Sequence, residues 1–360
     1  MKIGIIHGFV GGGGGTERTL LALIEALMEH KHIVHLYTVS KPTIQLPKIK
    51  VQSVFPFRLP AFGLYQRYLE SKLTKKAQDD DLIIQVSGGL AIPNRKGQKI
   101  IIYCHHDFRN ETEKDVTKYK GIWSAYYKPY YALSQKFVSQ IGDENIVLVA
   151  NSKFIQDSLK SRFGKDSIVI YPPVDVGIFQ NNMNKEQRVL TISRYSQEKN
   201  LEFAIDALNE IDTPYTIIGN TKTRVNELYY ESLVTKIKNG KSIGKILLMK
   251  NIERNKVIEN SKRSKVYFHA SPETFGISVV ESIAAGCIPI VPNNSAHVET
   301  VPFDVLRYEP DDKRGAQEKI RKALSGEYDG LLNQLRNSIG VYGKDTFKKS
   351  MTSFIENMGN

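Results

Sequence analysis

Two acidic residues eight positions apart, in "HASPETFGISVVESIAAGCIPIVP" (269–292), form the most informative chemical pattern in this 360-residue chain. A carboxylate accepts pairs of hydroxyl hydrogen bonds, so Glu273 and Glu281 suit a sugar and a ribose on either side of a diphosphate. Between them, Thr274, Phe275 and Gly276 lie where a helix should begin, and free N–H groups at such a start face an anion. Glu281 would then stand about two turns into that helix. Upstream, "ISRYSQEKN" puts Arg194 at the end of a strand, Lys199 five residues on, and Asn200 as a helix cap. An Arg fork, a Lys point charge and a helix N-terminus together make a diphosphate clamp. Taken singly, an Arg and a Lys near a strand end are usually solvated, and Glu281 reads equally well as an exposed helix residue. Gathered at the carboxyl edges of one predicted sheet, where such folds bind ligands, that plainer reading weakens.

A second pattern is the run of five glycines in "GFVGGGGGTERTL" (8–20). Each ordered glycine costs about 0.5–1 kcal/mol relative to alanine, and a close phosphate is the usual reason to accept that. Three familiar sites do not fit. A dinucleotide fingerprint started at Gly11 puts Thr16 at its third glycine, and the second strand ends "HLYTVSK" without an acid. "GKS" at 240–242 lacks the leading glycine of a P-loop, because position 235 is threonine. "DDD" at 79–81 precedes a strand instead of following one, so it reads as a solvated strand start, not a metal-holding motif.

The elements that must position these residues are apolar, β-branched runs alternating with helical stretches. "KIGIIHGF", "HIVHLYTV", "DLIIQVS", "KIIIYCH", "NIVLVAN" and "SIVIYPP" come first, then "RVLTISR", "YTIIGN", "KILLMKN", "KVYFHAS" and "CIPIVPN". That alternation predicts an α/β protein with parallel, doubly wound sheets. "YPPVDVGIFQNNMNKEQ" (171–187) interrupts it and reads as a linker. A last helix over 345–358, with Asp345 as its cap, repeats Phe347, Met351, Phe354, Ile355 and Met358 at helical spacing and needs a surface to cover. No run of about 18 apolar residues occurs, and the N-terminus breaks at glycine too early for a signal peptide. Cys104 and Cys287 lie far apart within apolar runs, as buried free thiols of a reducing compartment do. The net charge is +12, and residues 1–180 carry 24 Lys and Arg against 16 Asp and Glu. Such a balance favours an anionic partner, whether a nucleotide or an acidic membrane surface.

With these residues in place, the chain resembles family 4 glycosyltransferases. Arg194-x4-Lys199 followed by Glu273-x7-Glu281 is similar to that family's signature. The glycine loop, "YCHHD", "ANSKFIQDSL" and "YPPVD" extend the likeness over nearly the whole chain. "GGGGGTERTL" and "ETFGISVVESIAAG" look closest to the α-1,2-mannosyltransferases that extend dolichol-linked oligosaccharides. Three features depart from the pattern: Thr16 follows the glycines as an extra residue, "NSAHVE" replaces a glycine-rich turn after "PN", and no glycine follows "KILLM".

The resemblance implies the GT-B fold, two Rossmann-like doubly wound domains facing across a cleft. It implies an acceptor-side domain at 1–175, a linker at 176–187, a nucleotide-sugar domain at 188–340, and a terminal segment at 341–360 packing back on the first domain. It implies that Arg194 and Lys199 neutralise the departing nucleoside diphosphate and that Glu281 holds the ribose. Glu273, with the backbone at Phe275, Gly276 and Ile277, would hold the donor sugar. Gly13, Gly14 and Gly15 would face the diphosphate and the acceptor. A histidine stands beside the donor sugar in the family, His105 being favoured here over His106. No metal or cofactor is implied beyond a nucleotide-sugar co-substrate, GDP-mannose first and a UDP-sugar next. The expected partners are a glycan or polyprenyl-phosphate-linked acceptor and an anionic membrane surface, with no nucleic acid and a place on the cytoplasmic face. Two aromatic-basic stretches bear on that acceptor: 54–69, with Arg58 and Arg67, and 119–137, whose Trp123, Tyr126, Tyr127, Tyr130 and Tyr131 at helical spacing read first as a core-facing stripe and otherwise as a surface resting on headgroups. Two rivals stand beside transfer: an epimerase of the same fold, and a non-catalytic nucleotide-sugar-binding or scaffold subunit.

Overall fold

The computed structural model describes residues 1–11, 13–57, 69, 72–86, 97–108, 135, 138–180, 184–240 and 245–359. The chain divides into two units, Met1–Pro173 with Asp345–Asn360, and Val174–Lys344. The first holds a sheet of seven parallel strands in the order β3-β2-β1-β4-β5-β6-β7. These are β1 (Lys2–Ile6), β2 (Ile33–Ser40), β3 (Lys50–Phe55), β4 (Leu82–Gln85), β5 (Lys99–Cys104), β6 (Ile146–Ala150) and β7 (Ser167–Val169). The strands read as near-continuous apolar runs because both faces of the sheet are covered. Ile3, Ile5, Leu36, Ile84, Ile101 and Tyr103 point to one core; Ile6, Val39, Ile83, Ile100 and Ile102 point to the other.

Helix α1 (Gly15–Glu29) puts Leu20, Leu23, Ile24 and Leu27 on the first of these cores, the i, i+3, i+4, i+7 stripe of an amphipathic helix. The C-terminal helix Lys344–Gly359 covers the same core with Phe347, Met351 and Ile355, and Phe347 meets Tyr103 edge-on at 6.0 Å. Asp345 lies in its first turn instead of at its cap.

The second unit carries six parallel strands in the order β10-β9-β8-β11-β12-β13. They are β8 (Glu186–Ile192), β9 (Tyr215–Gly219), β10 (Ile246–Lys250), β11 (Ser264–Phe268), β12 (Ile288–Pro292) and β13 (Arg307–Tyr308). The strand order reverses between β8 and β11, as it does between β1 and β4 in the first sheet. In open parallel sheets, ligands bind beyond the carboxyl ends of strands at such a reversal. Of the segment expected as a linker, Val176–Phe179 forms a short helix of this unit, with Phe179 buried under the Arg254 guanidinium at 4.9 Å.

The acidic run is also different from its sequence reading. Asp80 is buried, not solvated: it accepts from Tyr37 Oη at 2.8 Å and pairs with His35 Nδ1 at 2.6 Å, while Asp81 accepts from Lys2 N at 2.8 Å. Both cysteines are free and buried. No described helix is long and apolar enough to cross a membrane. Of the two aromatic-basic stretches, residues 58–68 and all of 119–137 except Gln135 lie outside the described residues.

Candidate functional site

At the reversal in the second sheet, β8 runs out at Ile192 into a loop held from below. Tyr195 is buried and donates to the carbonyl oxygens of Ile217 at 2.9 Å and Met249 at 3.1 Å. A Cβ at Gly219 would collide with the Ser193 carbonyl, so the neighbouring strand must end in glycine for the loop to pass. One turn of 3-10 helix, Gln197–Lys199, follows, and Asn200 enters the helix Leu201–Leu208 with φ of 49°. Asparagine tolerates this left-handed backbone; its side chain makes no cap bond.

The two basic residues of the loop have different environments. Arg194 is 60% exposed and pairs with Glu198 at 3.2 Å, an ion pair worth under about 1 kcal/mol and therefore easily given up. Lys199 is 13% exposed and its Nζ donates to Glu273 Oε1 at 2.7 Å. Lys199 and Glu273, 74 residues apart in sequence, thus meet in one cluster.

Glu273 sits in the loop between β11 and the helix Ile277–Ala284. His269 Nε2 lies 2.9 Å from the same Oε1. Burial alone would push the Glu273 carboxyl up, but the hydrogen bond and charge of His269 and the ammonium of Lys199 outweigh it and hold the group well below the usual carboxylate range. Its backbone is fixed as well: the amide donates to Ser295 Oγ at 3.0 Å, and its carbonyl accepts from Ala296 N at 3.1 Å. Ser295 belongs to "NSAHVE" and takes φ of 56°, so serine adopts the left-handed backbone a glycine turn would supply and adds a side-chain anchor. After β10, Asn251 does likewise at φ of 55°, its side chain bonded to the amide and hydroxyl of Thr221, each at 3.0 Å.

Gly276, at φ of 88°, opens the helix, and Phe275 packs edge-on against Tyr342 at 5.1 Å. The first intrahelical donor is Val279, so the helix ladder does not use the amides of Phe275, Gly276 and Ile277. Glu281 is the fifth residue of this helix, little more than one turn in where two were expected. It is 2% exposed and is held by both guanidinium nitrogens of Arg254, through Nη2 to Oε1 and through Nη1 to Oε2 at 3.3 Å. Arg254, His269 and His297 were not singled out from sequence. Arg254 is the first residue of its helix, where a cation opposes the helix dipole; that misfit was the available signal. His297 is fully buried, edge-on to His269 at 5.3 Å, and donates from Nε2 to Ser271 O at 3.0 Å. Burial pushes its pKa down to about 3, so it is neutral.

In the first unit, the loop after β1 brings Gly13, Gly14 and Gly15 to the start of α1. Glu17 closes it: its carboxylate accepts from Gly14 N at 3.0 Å and from Gly11 N. The anion facing those two amides is the chain's own. At Gly13 and Gly14 no described atom beyond the adjoining residues comes within 4 Å of where a Cβ would stand. After β5, His106 Nδ1 accepts from Phe108 N at 3.1 Å, which commits it to its own turn. His105 packs on Tyr103 at 4.9 Å, and its Nε2 has no hydrogen bond among the described residues. Burial, with the neighbouring His7 and His106, lowers its pKa to about 3. His7, at the end of β1 and also missed from sequence, is 4% exposed and pushed by burial to about 4.

Comparisons with known proteins match both units of the chain. Residues 13–177 match the family model described as Glycosyltransferase Family 4, and residues 177–346 match that of glycosyl transferases group 1. A GDP-Man:Man(3)GlcNAc(2)-PP-Dol alpha-1,2-mannosyltransferase of Dictyostelium discoideum is 23% identical over 100% of this chain and 85% of its own length. The alpha-1,3/1,6-mannosyltransferase ALG2 of Candida glabrata is 25% identical over 92% of this chain and 84% of its own. Among solved structures, Anabaena Alr3699/HepE in complex with UDP and glucose superposes with a TM-score of 0.73 at 15% identity, covering 99% of both chains. WaaG, a glycosyltransferase involved in lipopolysaccharide biosynthesis, gives 0.73 at 15% identity over 98% of this chain and 99% of its own.

Proposed function

Since this chain belongs to glycosyltransferase family 4 and is a glycosyltransferase of the GT-B fold, we propose that it moves mannose from GDP-mannose, with retention, onto a lipid-linked glycan. The observation that carries the reading is the convergence of Lys199 on Glu273 at the β8/β11 reversal. The likeness of almost the whole chain to two mannosyltransferases supports the sugar.

In this reading Glu273 holds the hexose, with the backbone at Phe275, Gly276 and Ile277. Glu281 holds the ribose, and Arg194 and Lys199 take the charge that develops on the diphosphate. The bond from the sugar's C1 to the phosphate oxygen breaks, and a bond from C1 to the acceptor oxygen forms on the same face. The acceptor's proton passes to the leaving phosphate, so no strong side-chain base is required. Stabilising the leaving group's charge is then the main catalytic contribution. Two cations supply it without a metal. The paired Glu198 must release Arg194, which a largely solvated ion pair permits.

Melting temperatures with GDP, UDP, ADP and their sugars test the donor, because a ligand that binds only the folded state raises them by mass action. GDP-mannose should give the largest rise. Stabilisation by UDP-sugars alone would replace mannose with the donor class of the UDP-bound HepE structure. The basic first half supports peripheral binding to an anionic cytoplasmic surface, where each Lys or Arg contributes about 1 kcal/mol. Sedimentation with anionic vesicles should weaken steeply with salt; no pelleting at low salt would point to a soluble acceptor.

A further inference from the structure

Glu273 offers two oxygens, and both neighbouring donors use the same one. Lys199 Nζ and His269 Nε2 reach Oε1 at 2.7 and 2.9 Å, while Oε2 has no hydrogen-bond partner among the described residues. A carboxylate can only accept, so His269 Nε2 carries a hydrogen. Ser271 Oγ, at 3.2 Å, lies close to the same N–H. The other ring nitrogen is occupied: Nδ1 lies 3.2 Å from Tyr267 Oη, which itself reaches Ile192 O at 3.1 Å and Ser278 Oγ at 2.8 Å. The imidazole is thus fastened at one end to the last residue of β8 and to the first turn of the Ile277–Ala284 helix. Its other end fixes Glu273. The ring is 2% exposed and lies 5.3 Å from His297, so it has no second position to swing into.

We propose that His269 is a positioning residue for the donor sugar: with Lys199 it fixes Oε1 of Glu273, and thereby presents Oε2 to the hydroxyls of the hexose. The proposal rests on the reading of Glu273 as the sugar-holding residue. Lys199 alone could not set this orientation. An ammonium is a point charge on a flexible stem, whereas the ring fixes direction. Ser295, whose Oγ accepts from the Glu273 amide, fixes the backbone.

The test compares binding of GDP-mannose with binding of GDP by calorimetry for the wild type, His269→Phe, His269→Gln and Glu273→Gln, with melting temperature followed throughout. A residue that only supports the fold would weaken both ligands together. Positioning of the sugar contact predicts that His269→Phe binds GDP-mannose about tenfold more weakly, the worth of one charge-assisted hydrogen bond, while GDP binds within about twofold of wild type. His269→Gln keeps an N–H near the Nε2 position and should recover most of the loss. Should His269→Phe fail to fold, His269→Asn, with its donor too short to reach Glu273, should show the same selective loss. Equal effects on both ligands, or none on either, in folded variants would overturn the proposal. If Glu273→Gln leaves the ratio of the two affinities unchanged, the underlying reading of Glu273 fails. If Glu273→Gln changes that ratio and His269→Phe does not, the role of His269 alone fails.

Discussion

Glu281 and Glu273 carry one formal charge each, yet the chain stabilises them by different means, and mutation should separate them. Glu281 is 2% exposed and depends on Arg254, whose side chain keeps 37% of its surface. Removing one partner of a buried pair strands the other, so Arg254→Ala should lose about 3 kcal/mol, the low end for such a break because the guanidinium is partly solvated. Urea denaturation measures this; a loss within about 0.5 kcal/mol, the range of ordinary surface substitutions, would mean the pair is not needed by the fold. Glu273→Gln should be milder, because an amide oxygen still accepts from Lys199 and His269. At this scale the sequence made the charged residues legible by their spacing. It hid their partners, because spacing along a chain says nothing of what packs above it. Arg254 lies 27 residues from Glu281, and His269 reads as an ordinary strand-end residue until the tyrosine beneath it is seen. The glycine loop hid a partner of its own: Glu17, three residues after Gly14, accepts from the Gly14 amide.

Elements were read most reliably where apolar periodicity was strong. The C-terminal helix is one such case, since Phe347, Met351 and Ile355 are 2%, 0% and 0% exposed within the first unit's core. Met351→Ala should therefore cost about 2–5 kcal/mol, as truncation of a fully buried side chain does. The same change at Met358, only partly buried at the end of that helix, should cost far less. Equal losses measured by chemical denaturation would show that the helix is not docked by that stripe. Strand β3 escaped the sequence reading because its "KVQSVF" begins with two exposed residues at the edge of the sheet. An edge strand paired on one side lacks the doubled apolar requirement that marks the central ones. The "NSAHVE" turn was read as a departure from a glycine pattern; the left-handed backbone persists there in Ser295, with a hydrogen bond to Glu273 that glycine could not make.

On the scale of the whole molecule, three buried neutral histidines set the response to acid. His7, His105 and His297 have folded pKa values of about 4, 3 and 3, all pushed below the ordinary 6.5 by burial. The unfolded chain therefore binds more protons between those values and 6.5. Their stabilisation is complete above about pH 6.5 and is lost as pH falls toward 3–4, by up to roughly 1.4 kcal/mol per histidine for each pH unit. The depressed carboxyl of Glu273 adds a further loss below its ordinary 4.5. Melting temperature should fall between pH 7 and 5, and a flat profile there would show that these rings are solvated. The catalytic reading is tested most directly by one assay of GDP-mannose turnover in EDTA. It is run with and without a polyprenyl-pyrophosphate-linked glycan, for the wild type and for Lys199→Ala. Side-chain neutralisation of the leaving diphosphate predicts GDP release that needs the acceptor, a product with the α configuration of the donor, and at least about a tenfold loss in Lys199→Ala, as for removal of a charge-assisted contact. Acceptor-independent release, an inverted product, or wild-type turnover in a folded Lys199→Ala would contradict it.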